Sequence, residues 1–114
     1  SNDFNDWDIY LDSISILYLK NKEKIELIKL GEIDKEILER FLSKIKEINP
    51  NKDIKLLKTI SKINNQNTQL LLTQSGKVTK QEVENFKRRF NYAGFSIIGW
   101  ILFEETIPFN QQKL

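Results

Sequence analysis

The stretch LLLTQSGKVTKQEVENFKRRFNYAGFSIIGWILF, residues 70–103, carries most of the architecture that can be read from this chain. It opens inside an apolar run of strand length, residues 69–73, which Ser75-Gly76 stops. Thr79-Lys80-Gln81-Glu82 then matches a capping box, in which the threonine hydroxyl accepts from the N3 amide and the glutamate reaches back to the N-cap amide. Val83, Phe86 and Phe90 mark the buried face of the helix that follows, and Gly94 falls where a C′ residue with positive φ closes it. Residues 95–103 are apolar at odd and even positions alike. That predicts a strand covered on both faces, with Trp100 in the core and Gly99 allowing a close approach. Strand, helix and strand with tight connections make one right-handed βαβ unit of a parallel sheet.

Upstream, residues 13–19 (SISILYL) and 25–30 (IELIKL) are rich in strand formers and flank the polar segment 20–24, which predicts an N-terminal hairpin. Gly31 breaks the run. Asp34 is placed to cap a helix whose apolar residues Ile37, Leu38, Phe41, Leu42, Ile45 and Ile48 recur at helical spacing, and Asn49-Pro50 ends it. Residues 53–59 read as a short strand, although Leu57, Ile60 and Ile63 also suit a helical turn; residues 64–67 (NNQN) read as a loop. The acidic, aromatic opening at 1–12 is expected to be irregular, with Phe4 and Trp7 either packed on the sheet or docked on a neighbouring molecule. Glu104-Glu105 and Pro108 end the last strand, and residues 106–114 form a polar tail. The expected fold is a single α/β domain over 1–114: a small, mostly parallel sheet with a C-terminal βαβ unit and an N-terminal hairpin.

Composition fits one globular core. The 114 residues are 39% hydrophobic and 30% charged, and 7 Phe, 3 Tyr and 2 Trp supply large side chains to bury. A net charge of +2 is too small to mark a general nucleic-acid binder. With neither cysteine nor histidine, the chain has no disulfide framework, no thiolate metal site and no imidazole base. The apolar run 95–103 is about half the ~20 residues a membrane-spanning helix needs, so no direct membrane span is expected. Ser1-Asn2 reads as a cloning remnant, which would make the chain a piece of a longer protein.

Residues 70–103 also resemble the last βαβ unit of the bacterial tyrosine kinases, the P-loop ATPase domains attached to polysaccharide chain-length regulators. That family carries a G-x-[TV]-[ST] turn, a helix opening near a K-E-V-like element, and a final strand with G-[IVF]-x-[IVL]-x-G-x-[IVL]-[IVL]. Gly76, Val78, Thr79, Glu82, Val83, Gly94, Ile97, Gly99, Ile101 and Leu102 stand at those places. The departures bear on chemistry. No G-x-x-x-x-G-K-[ST] occurs, so the amide cradle for phosphate is missing. Lys58 stands where the family has a magnesium-site aspartate, Phe103 stands near where an asparagine meets the base, and the tyrosine-rich tail is missing. The resemblance implies a P-loop-like domain that has lost nucleotide chemistry, holds no cofactor, and serves a cytoplasmic regulatory role in polysaccharide export or chain-length control.

Few residues are candidates for a functional contact, and none reads as catalytic. Lys77, in Ser75-Gly76-Lys77 ahead of a helix, can face an anion at the positive end of the helix dipole, or can sit in a plain turn. Lys80, Lys87, Arg88 and Arg89 on that helix can meet phosphate or an acidic partner, or form a solvated face. Three functions are expected in order: a non-catalytic domain that binds a protein partner or itself; a nucleic-acid-associated domain using the basic helix; and a fragment of an active ATPase.

Overall fold

The computed structural model describes residues 2–104, with side chains from Trp7 onward. Its elements run α1 (Asn2–Tyr18), β1 (Lys24–Lys29), α2 (Lys35–Ile48), β2 (Asp53–Leu57), a 3₁₀ turn (Ile60–Lys62), β3 (Thr68–Gln74), α3 (Lys80–Tyr92) and β4 (Ile97–Phe103). The four strands form a wholly parallel sheet in the order β2-β1-β3-β4.

The βαβ expectation holds: β3 and β4 pair in parallel with α3 between them. Its predicted punctuation is in place. Glu82 N–H donates to Thr79 Oγ1 and Thr79 N–H to Glu82 Oε1, both at 3.1 Å. Gly94 has φ +87°, and the Phe95 N–H closes the helix on the Phe90 carbonyl, the 6→1 bond of a Schellman ending.

The N-terminal hairpin does not form. Residues 13–19 lie mostly in α1, which also takes in the opening expected to be irregular. The reason is burial. Trp7, Leu11, Ile14 and Tyr18 recur every three or four residues and pack into the core, a spacing that a strand would scatter over two faces. With α1 helical, β1 finds parallel partners on both sides: Leu27 stands between Leu56 of β2 and Leu70 of β3.

Two apolar layers sandwich the sheet. Ile25 and Leu27 of β1 and Leu70 and Leu72 of β3 point to the face covered by α1 and α2, where Phe41 and Ile45 are fully buried. Ile28 and Leu71 point to the other face and pack under Val83 and Phe90 of α3. The strand β4 corrects a second expectation. It is an edge strand, and Ile98, Trp100 and Leu102 are partly exposed because α3 covers that margin only in part. Trp100 is therefore not core; its indole N–H donates to Thr73 Oγ1 at 2.6 Å. Gly99 meets its expectation, since a Cβ there would stand 3.0 Å from Leu70 and 3.1 Å from the Tyr18 ring.

Trp7 packs on this domain, its ring 5.9 Å from that of Phe103. The Phe4 side chain, Glu105, Pro108 and the tail 106–114 lie outside the described residues.

Candidate functional site at the β1–β3 switch

In an open parallel sheet, ligands gather where two adjacent strands send their helices to opposite faces, because the connecting loops part there and leave a crevice. Here that place is the carboxyl end of β1 and β3. The strands are neighbours; α2 follows β1 onto one face and α3 follows β3 onto the other.

The loops at this point close on each other. Gly31, at φ +76°, lets the β1–α2 loop approach the β3–α3 loop, and a Cβ in its place would stand 3.2 Å from the Lys77 carbonyl oxygen. Gln74, fully buried at the end of β3, fixes the junction with both ends of its amide. Its Oε1 accepts from the Asp34 N–H at 2.6 Å and its Nε2 donates to Asp34 Oδ2 at 3.0 Å. Lys77 Nζ lies 3.7 Å from the other carboxylate oxygen of Asp34. Asp34 thus stands at the N-cap of α2 as expected, but its side chain makes no capping bond and serves the crevice instead.

These contacts determine what the site can do. The Lys77 charge is already met by Asp34. At the start of α3 the Thr79 N–H donates to the Glu82 carboxylate, so the chain's own acids compete with an incoming anion for the Lys77 charge and for that amide.

The other predicted contacts do not converge. Lys80, Arg88 and Arg89 are exposed on α3, whereas Lys87 lies over the Trp100 ring, 5.3 Å from its centroid. At 100° per residue, Lys87, Arg88 and Arg89 span about 200° of the helix, so they present no single basic face. Lys58 is exposed just past the end of β2.

Sequence reasoning missed a second buried polar cluster, at the opposite end of the sheet. Glu26 of β1 is buried, and its carboxylate accepts from the Gln69 amide (2.9 Å), the Asn64 N–H (3.1 Å) and the Asn67 amide (3.2 Å). Every donor is neutral, and the effect is to tie the loop before β3 to the sheet. A glutamate inside an otherwise apolar strand, IELI, was its sequence signal. Among the described residues no group of three or more Asp and Glu gathers as a metal site, and no helix is long and apolar enough to cross a membrane.

Comparison with protein-family models, with curated proteins and with solved structures returns no match.

Proposed function

We propose that this chain is a non-catalytic α/β domain, P-loop-like in outline, that works by docking on protein. One observation carries the reading. The crevice where a sheet of this topology would take a ligand is held shut by Asp34, Gln74 and Lys77, while large apolar side chains stand exposed elsewhere. Ile9, Tyr10, Ile16 and Leu17 on α1 and Ile98, Trp100 and Leu102 on β4 give it contact material of the kind protein interfaces bury. The resemblance of residues 70–103 supports a cytoplasmic regulatory role in polysaccharide export or chain-length control. The nucleic-acid alternative draws less support, since the α3 cations are dispersed and Lys87 is engaged with Trp100.

Thermal unfolding with and without ATP and magnesium tests the reading, because a ligand that binds the native state must raise Tm. An unchanged Tm at millimolar nucleotide is expected. A clear rise would show that the crevice opens to nucleotide, and would favour the ATPase-fragment alternative.

A further inference from the structure

We propose that a second copy of this chain docks across the β4 edge, on a two-fold axis passing beside Ser13 of α1 and Trp100 of β4. The proposal deepens the docking role above and rests on it.

The two edges of the sheet differ. On β2, Asp53 and Lys55 project charge, with Lys58 just beyond, the usual guard against edge-to-edge pairing. On β4, all seven residues, IIGWILF, are uncharged, and nothing among the described residues pairs with the outer side of the strand. An unguarded apolar edge of this length is a template for another strand.

Beside that edge lies the uncovered face of α1. Trp7, Leu11, Ile14 and Tyr18 face the sheet; Asp8, paired with Lys44 at 2.9 Å, and Ser15, bonded to Asn49, face α2. Ile9, Tyr10, Ser13, Ile16 and Leu17 are left on a stripe within about 120° of the helix. The four apolar ones expose 49–73% of their surface. The stripe is symmetric about Ser13: in an antiparallel pair of α1 helices Ile9 meets Leu17, Tyr10 meets Ile16, and Ser13 meets its own mate, a small residue at the crossing. Self-complementarity of this kind is what an isologous interface requires.

The same axis serves both elements. Trp7 stacks on Phe103 and Tyr18 lies against Gly99, so α1 runs antiparallel to β4. Ser13 is six helical residues from Trp7, about 9 Å along the axis. Trp100, the centre of β4, is three strand residues from Phe103, about 10 Å. The two centres of symmetry therefore stand at one level. A two-fold axis there pairs the open edges, sets the α1 stripes together on one face, and on the other brings Ile98, Trp100 and Leu102 against their mates. The surface these residues now expose is roughly 800 Å² per protomer, the half-share of a standard-size interface.

Sedimentation equilibrium of the full chain tests this, with a mass twice 13.5 kDa expected at micromolar concentration. Leu17→Glu and Leu102→Lys change exposed side chains on the two elements, and each should weaken association at least tenfold with an unchanged circular dichroism spectrum. Because the chain has no cysteine, Ser13→Cys should form an intermolecular disulfide on oxidation, while Ser43→Cys on the exposed side of α2 should not. A chain that stays monomeric at all concentrations overturns the proposal, as does a dimer indifferent to both charge variants. A chain ending at Glu104 that dimerises when the full chain does not would assign the edge to residues 105–114, and also overturns it. None of these results bears on the closed crevice, which the nucleotide experiment tests separately.

Discussion

At the residue scale, two side chains with no partners near them in sequence hold opposite ends of the sheet. Glu26 collects donors from residues 38 to 43 positions away, and Gln74 binds Asp34 across 40. Removing the Glu26 carboxylate would leave the Asn64 N–H unsatisfied and cost the buried Gln69 amide one of its two acceptors, the Asn64 carbonyl remaining. Glu26→Ala should therefore cost about 2–4 kcal/mol of unfolding free energy in urea titration. Gly99 is constrained by space: its added methyl would press on Leu70 and the Tyr18 ring, so Gly99→Ala should cost about 1–3 kcal/mol in the same measurement. The glycine was legible in the sequence as a point of close approach. The polar pairings were not, because nothing local announces which donor a glutamate or glutamine will meet forty residues away.

The elements divide according to whether local or distant forces define them. For α3 the start and stop signals are local: a reciprocal Thr79–Glu82 cap at one end and Gly94 at the other. Thr79→Ala should lower stability by about 1 kcal/mol, read from the shift in urea midpoint at constant slope. For α1 the local signals mislead. The β-branched run in 13–19 favours a strand, and helix wins because Leu11, Ile14 and Tyr18 then share one buried face against the sheet. Periodicity was masked by the additional apolar residues Ile16 and Leu17, which the fold leaves on the outside.

Ionic and aromatic contacts of α1 also set a pH dependence. The hydrogen bond from Lys44 to Asp8 raises the lysine above its ordinary 10.5, chiefly through that bond and then through the Asp8 charge. Partial burial, reinforced by Tyr18, raises Tyr10 above 10.0. Both groups hold their protons more tightly in the folded chain, so their contribution is complete below about pH 10 and is lost as pH rises through the folded values. Unfolding free energy should accordingly fall above that range. In Asp8→Asn the Lys44 titration, followed by NMR, should move back towards 10.5.

For the molecule as a whole, the C-terminal βαβ unit and the α/β class were readable, while the all-parallel order β2-β1-β3-β4 was not. That order depends on α1 being helical, which frees β1 to sit between two parallel strands. It also creates the switch between β1 and β3, and with it the question of what the crevice holds. The basic residues that stood out in the sequence turn out to be dispersed or engaged, and the residues that fill the crevice include two, Asp34 and Gln74, that did not stand out as contacts. Asp34, Gln74 and Lys77 join the two loops across this crevice from within the chain. Titration of ATP with magnesium into ¹⁵N-labelled protein, with the backbone amides of Gly31, Gly76 and Lys77 followed, reads whether these contacts keep nucleotide out. Those signals are expected to stay in place at millimolar nucleotide; saturable shifts confined to these loops would show that the crevice is open to nucleotide.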